Sequence, residues 1–417
     1  MGEAGRGITA LNRRHPDPAM TVVHGEVLPG WEPVRDAFAA NFERFDEIGA
    51  ACAVVAGGRT VVDLWAGAAD VRTGAPWQAG TRAVTFSTTK GATSVVVHRL
   101  VEQGRLDLDT PVSASWPEFA AAGKEAVPVR WLLTHQAGLP AVDRTFTPEE
   151  LFAWHPMVEA LAAQAPHWPP GTAHGYHAMT FGWLVGEVVR RVSGRSVGEL
   201  FAAEVAAPLG LEYHIGGLPA ELEPLTARLS GTSRGQEARS EAPAAATATA
   251  TTTATTTTDP SSLSFRALNP TDPPLRANDP AYHRAEMPAA NGIGTARALA
   301  RMYAALLGEV DGVRLLQPAT VAAATTRQTS GIDRVTFRES AFGLGFALGA
   351  DVHPAAGAAA FGHPGMGGSL GYADPELGFG FGYVMNRMRP ESLGDPRAGA
   401  LVEAARSCAA ATAGLGH

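Results

Sequence analysis

Ser87-Thr88-Thr89-Lys90 sets a hydroxyl and an amine three residues apart, directly after Ala83–Phe86. If a helix opens here, Ser87 and Lys90 share one face. A serine in the first turn also sits where the helix dipole and free N–H groups favour negative charge. An uncharged amine at Lys90 would accept the serine proton, and a charged one would stabilise a nearby phenolate. Taken alone, S-x-x-K reads first as a capped helix with a solvated lysine. Tyr176, in Pro170-Gly171-Thr172-Ala173-His174-Gly175-Tyr176, is a second candidate, a base or proton relay. Taken alone, it reads first as a tyrosine packed at a helix entry. The third is His363-Pro364-Gly365-Met366-Gly367-Gly368. A strand running into such a glycine-rich turn leaves backbone N–H groups free to face an oxyanion, and a plain turn has the same sequence.

Other residues compete for these roles. Gly367-Gly368-Ser369-Leu370-Gly371 fits G-x-S-x-G, but a nucleophile elbow needs a strand before the serine and a helix after it. Here the segment after Ser369 reads as a strand, so Ser369 is not expected to be the nucleophile. His167, His174 and His177 lie close together in sequence without an H-E-x-x-H element or a cysteine pair, and no metal is expected. Trp154, Trp168, Phe119 and Phe146 either line an acyl pocket or pack a core.

The elements that must hold these residues follow from periodicity. Trp31–Phe45 has apolar residues at Val34, Phe38, Phe42 and Phe45, a helical face. Ala50–Ala56 and Thr60–Trp65 flank Gly57-Gly58 and predict a hairpin. Helices are predicted from about Ser87 to Gln103, over Trp131–His135, over Thr180–Val192 with Gly194 as its stop, over Ala296–Leu307, and over about Pro396–Ala411. Strands are predicted near Phe342–Leu348, Ala358–His363, Leu370–Ala373 and Phe379–Met385, the last two separated by the turn Asp374–Gly378. Strands cluster near both ends and helices fill the middle, which predicts one sheet built from both termini. Arg239–Ser262 is different: its alanine and threonine offer little apolar surface to offset ordering entropy. It reads as a disordered insertion or surface linker.

Composition narrows the function classes. The 417 residues carry 33 Lys and Arg against 41 Asp and Glu, a net charge of −8, which argues against nucleic acid as the main partner. With 45% hydrophobic residues the chain can bury a large core, and 47 glycines and 30 prolines imply many turns. Cys52 and Cys408 are too few for a disulfide framework. Residues 1–20 read as a flexible N-terminus without the apolar run of a secretory signal, and no stretch has the length of a membrane span. The expectation is a cytoplasmic protein without a membrane partner; oligomeric state is left open.

The three chemical segments together, in this order, resemble serine hydrolases related to class C β-lactamases and D-alanyl-D-alanine carboxypeptidases. The likeness extends through Gly49–Gly67, Leu132–Pro140, Pro170–Gly194 and Asn291–Leu299, and runs from about Glu26 to Met388. Gly175-Tyr176-His177-Ala178-Met179-Thr180-Phe181-Gly182 is most similar to the family VIII carboxylesterases. The resemblance implies an α+β fold of the β-lactamase/transpeptidase type. An antiparallel sheet with flanking helices would form from residues 21–115 and 286–415, and a mostly helical domain from 116–285, with the Ala/Thr-rich stretch 239–262 inside it.

The resemblance also implies roles. Ser87 would be the acylated nucleophile, with Lys90 and Tyr176 as the base system. The N–H groups of Ser87 and Met366 would form the oxyanion hole. His363, Gly365, Ala178 and Trp168 would border the substrate, a small-molecule ester, with no cofactor. Two departures stand out. Ala178 occupies a position where β-lactamases and peptidases usually carry asparagine or serine, and His363 occupies that of a lysine that attracts a substrate carboxylate. Both shift the expectation from β-lactam or peptide hydrolysis toward short esters. An acyltransferase of the same acyl-enzyme chemistry stays open, as does, less favoured, a non-catalytic binding protein on this fold.

Overall fold

Gly57 and Gly58 have φ of +55° and +74°, the left-handed pair that a two-residue hairpin needs, and Ala56 faces Arg59 across it. In the computed structural model, which describes residues 21–231, 259–390 and 393–414, this hairpin joins the strands Gly49–Ala56 and Arg59–Asp70. The flexible N-terminus expected over 1–20, and all of the Ala/Thr-rich stretch except 259–262, lie outside the described residues.

The hairpin is one part of an antiparallel sheet. The order across it is His24–Val27, Arg59–Asp70, Gly49–Ala56, Phe379–Met385, Leu370–Asp374, Phe361–Pro364, Ala347–Leu348, Glu339–Phe342 and Thr329–Ile332. Its central seam pairs an N-terminal strand with a C-terminal one, with Val54 opposite Phe381 and Ala51 opposite Val384. One sheet built from both ends is therefore what forms.

Phe379-Gly380-Phe381-Gly382-Tyr383 explains how helices cover this sheet. Successive strand residues face opposite sides. A Cβ added at Gly380 would lie 2.3 Å from the Ala300 carbonyl oxygen, and one at Gly382 2.1 Å from that of Ala296. The missing side chains let the backbone of helix Ala296–Leu307 press onto this face. The three aromatics fill the other side, where helices Glu32–Arg44 and Pro396–Gly414 pack on each other.

A second sheet of three short strands orders Ala83–Val84, Gly292–Gly294 and Tyr213–Ile215. It ties the start of helix Thr89–Glu102 to chain arriving from beyond the helical middle. That middle contains Val129–Leu133, Pro148–Phe152, His155–Ala163, Thr180–Ser193 and Val197–Phe201. Thr180–Ser193 buries Phe181, Leu184, Val185 and Val188 and ends at Gly194 in the left-handed conformation, as its stripe predicts. Cys52 and Cys408 are both buried free thiols. Among the described residues no helix is long and apolar enough to cross a membrane.

Two strand expectations need correction. Phe342–Leu348 is not one strand: it breaks into Glu339–Phe342 and Ala347–Leu348. Gly345 turns the chain with φ +89°, and the Leu344 and Gly345 carbonyls accept hydrogen bonds from His98 and Ser94 of helix Thr89–Glu102. The strand expected over Ala358–His363 starts only at Phe361 and runs to Pro364, because residues 357–360 form a turn closed by the Ala360 N–H on the Gly357 carbonyl.

Candidate active site

Ser87 lies in the turn just before helix Thr89–Glu102, not inside the helix. Phe86 holds φ +47°, a left-handed conformation a bulky side chain adopts only under strain. The surroundings fix it there. Thr89 Oγ1 donates to the Phe86 carbonyl and accepts from the Gly292 N–H, while Thr85 Oγ1 donates to the Gly292 carbonyl and contacts the Tyr213 hydroxyl at 2.6 Å. The small sheet and this hydroxyl ladder thus hold the serine turn from behind. Ser87 itself stays half-buried.

Lys90 is fully buried. Its Nζ donates to the carbonyl oxygens of Ala178 at 2.7 Å and Ala289 at 3.0 Å, and stands 3.2 Å from Ser87 Oγ. An uncharged amine has two hydrogens and one lone pair. The two carbonyls take the hydrogens, so the lone pair is left for the serine hydroxyl. No carboxylate is needed to balance this amine, and burial holds its pKa well below the ordinary lysine range. The Tyr176 hydroxyl interacts with the Ser87 side chain, and burial pushes its pKa up, which keeps it a phenol. Lys90 Nζ lies 4.7 Å from the centre of the Tyr176 ring. The structure therefore brings Ser87, Lys90 and Tyr176 together, with Lys90 bonded to Ser87 and set over the Tyr176 ring.

The strand Phe361–Pro364 and the turn after it form the facing wall. His363 stacks on the Tyr176 ring at 5.9 Å between centroids. Its Nδ1–H donates to the Pro364 carbonyl at 2.7 Å, so the imidazole carries its proton there. Burial, with the adjacent Lys90, pushes its pKa down to about 3, and the ring is neutral near pH 7. The turn itself is cross-braced. Gly365 N–H donates to the Ser369 carbonyl at 2.7 Å, and Ser369 Oγ donates to the Thr85 carbonyl at 2.8 Å. Ser369 is buried and joins the glycine turn to the serine turn, its hydroxyl also 3.2 Å from Thr88 Oγ1. A Cβ at Gly365 would sit 2.1 Å from Ser369 Oγ, so the brace requires glycine there. Among the described residues the backbone bonds of both turns leave the Ser87 and Met366 N–H groups unused.

Of the other expected residues, Ala178 takes part through its carbonyl on Lys90. Trp168 packs against Val335 and Ala267 beside Tyr176, its Nε1–H on the Ala173 carbonyl at 3.0 Å. The three histidines work separately. His177 donates from Nδ1 to the Gly175 carbonyl at 2.6 Å and accepts the Leu139 N–H on Nε2 at 2.9 Å. His174 meets Ser340 Oγ at 2.9 Å, and His167 the Ala141 carbonyl at 3.1 Å. Trp154, Phe119 and Phe146 are buried in the main core.

Sequence reasoning missed two contributors. Phe342 lies parallel to the Tyr176 ring at 6.3 Å, and His135, in a left-handed conformation, stands edge-on to Tyr176 at 5.1 Å. His135 lies in the Leu132–Pro140 segment that carries the resemblance but is given no role there, and Phe342 belongs to no motif; their place between distant strands and loops brings them to the site.

A beta-lactamase family profile matches residues 38–406. The chain is 37% identical over 374 residues to a Mycobacterium tuberculosis protein named esterase/beta-lactamase LipL, covering 88% of this chain and 83% of that protein. A solved family VIII carboxylesterase superposes with a TM-score of 0.82 at 39% identity, over 93% of this chain and 100% of that one. A penicillin-binding protein homologue from Caulobacter crescentus gives 0.80 at 37% identity, over 93% and 100%.

Proposed function

This chain belongs to the beta-lactamase family, and we propose that it is a serine carboxylesterase that hydrolyses small esters through an acyl-enzyme on Ser87. The observation that carries this reading is the geometry at Lys90: in the neutral amine that burial favours, two carbonyls take the two hydrogens and the lone pair stands 3.2 Å from the serine hydroxyl. The esterase names among the relatives support the ester as substrate class.

In the proposed reaction Ser87 Oγ attacks the ester carbonyl carbon and its proton passes to Lys90. The carbonyl π pair moves onto oxygen, which is held by the N–H groups of Ser87 and Met366. Collapse of this intermediate breaks the carbon–alkoxide bond. The leaving oxygen takes the Tyr176 proton, and the Lys90 ammonium restores it. Water then attacks the acyl carbon, gives its proton to the same pair, and releases the acid with the Ser87 hydroxyl regenerated.

The surroundings favour esters over β-lactams. The neutral His363 offers no charge to a substrate carboxylate, and Ala178 has no side-chain amide for a peptide-like group. Intact-protein mass measurement after exposure to short-chain p-nitrophenyl esters and a serine-directed phosphonate tests the reading. The expected result is an acyl or phosphonyl adduct on Ser87 and none on Ser87→Ala. Full esterase activity in Ser87→Ala would overturn it. Faster turnover of a chromogenic cephalosporin than of the esters would replace the ester by a β-lactam.

A further inference from the structure

Behind the glycine turn lies a buried ionic cluster that the proposed chemistry does not use. Arg397 stands in the first turn of helix Pro396–Gly414 and has no exposed surface. A guanidinium has five N–H donors, and here all five have acceptors. Nε donates to Asp395 Oδ1 at 3.0 Å. Nη1 donates to Glu47 Oε1 at 2.9 Å and to the Arg387 carbonyl at 3.0 Å. Nη2 donates to Asp395 Oδ2 at 2.7 Å and to the Gly367 carbonyl at 2.7 Å. Glu47 Oε2 in turn accepts the Tyr383 hydroxyl, and Asn41 Nδ2 donates to the Arg397 carbonyl at 3.1 Å. The cluster therefore ties both terminal helices and the central strand Phe379–Met385 to one backbone carbonyl in the turn.

That carbonyl is the one that matters for direction. Gly367 has φ +85° and Gly368 φ +119°, two successive residues with the freedom to let their shared peptide rotate. Arg397 holds the Gly367 oxygen on the core side. Asp395 and Arg397 also fill the space at Gly368, where an added Cβ would lie 2.4 Å and 2.7 Å from them. Fixing this peptide fixes the residue before it, Met366, whose N–H is unused.

We propose that Arg397 is a positioning residue for the oxyanion hole: its bond to the Gly367 carbonyl locks the glycine turn so that the Met366 N–H faces the reacting carbonyl. This rests on the reading of Met366 given above. The prediction differs from that for a residue that only stabilises the fold. A lost lock weakens the transition state more than the ground state, so kcat falls while KM stays near its wild-type value.

The test compares Arg397→Lys and Arg397→Gln with Glu47→Gln, which keeps the guanidinium bond to Gly367. Each is assayed on a p-nitrophenyl ester at active-site concentrations set by phosphonate titration, so unfolded protein does not count. A boronic acid that forms a tetrahedral adduct on Ser87 reads the oxyanion hole directly. Arg397→Gln is expected to lose roughly 10- to 100-fold in kcat, on the scale of a weakened oxyanion donor, and to lose boronate affinity in parallel. Arg397→Lys should recover part of both. Glu47→Gln should melt at lower temperature with kcat within about twofold of wild type. Where Arg397→Gln yields no folded protein, Arg397→Lys carries the same comparison. Wild-type kcat and boronate affinity per titrated site in both Arg397 variants would overturn the proposal, whatever their melting temperatures. Failure of wild-type protein to form any Ser87 adduct would overturn the esterase reading instead.

Discussion

Lys90 decides the protonation state in which the site works. Burial without a carboxylate partner lowers its pKa, so the reactive neutral form gains population as pH rises through that lowered value. The sign follows: ester hydrolysis should rise with pH along one acid limb set by Lys90. It should fall only where Tyr176, raised by burial, loses the proton it must deliver. His363 titrates at about 3 and His177 at about 3, so neither shapes the profile above about pH 5. A kcat/KM profile measured from pH 5 to 10 checks this, and His363→Asn should leave the midpoint of the acid limb unchanged while altering KM. Lys90→Arg keeps a permanent charge and cannot accept the serine proton; it should lose at least about 10²-fold in kcat. Tyr176→Phe keeps the ring stacked on His363 and Phe342 but removes the relay, and should cost about 10²–10⁴-fold in kcat. Circular dichroism of both variants separates these losses from misfolding.

At the scale of elements, the brace between two turns makes its own prediction. Ser369 joins the glycine turn to the serine turn through the Thr85 carbonyl and Thr88 Oγ1. Ser369→Ala leaves the buried Thr85 oxygen without that donor and should destabilise the fold by about 1–3 kcal/mol. Ester turnover at low temperature should stay within a few-fold of wild type, which a melting curve and an initial-rate assay read together. Complete loss of turnover would return Ser369 to the list of nucleophiles. The sequence was legible wherever one element carried its own signal. The glycine pair of the first hairpin, the apolar stripe ending at Gly194, and Ala296–Leu307 all formed as their periodicity dictates. The grouping of Ser87, Lys90 and Tyr176 was legible only through the family resemblance, because each segment alone reads as a capped helix or a packed tyrosine. What stayed hidden depends on chain far away. The three-stranded sheet uses strands of two or three residues, too short for any pattern, and Phe86 takes its left-handed turn because Asn291 and Gly292 dock against it. Arg397 was invisible for the same reason: its five acceptors come from four separate stretches of chain.

At the scale of the molecule, strands from the N-terminal and C-terminal parts of the chain form one sheet. Residues Ala50–Ala56 pair with Phe379–Met385, and the serine turn and the glycine turn are bonded to each other through Ser369. We propose that the division at residues 115 and 286 separates this shared sheet unit from the helical middle. The central seam should then govern folding and catalysis together. Phe381 is fully buried, opposite Val54 and 5.3 Å from the Tyr372 ring. Phe381→Ala opens a cavity there and should cost about 3–5 kcal/mol. Because the glycine turn hangs from this sheet and is bonded to the serine turn through Ser369, loss of esterase activity on heating should track loss of the far-ultraviolet signal in both wild type and Phe381→Ala. The two midpoints should fall together by several degrees. Activity that survives above the structural transition, or two separate transitions in Phe381→Ala, would mean that the site is carried by a part of the chain able to stand without the seam.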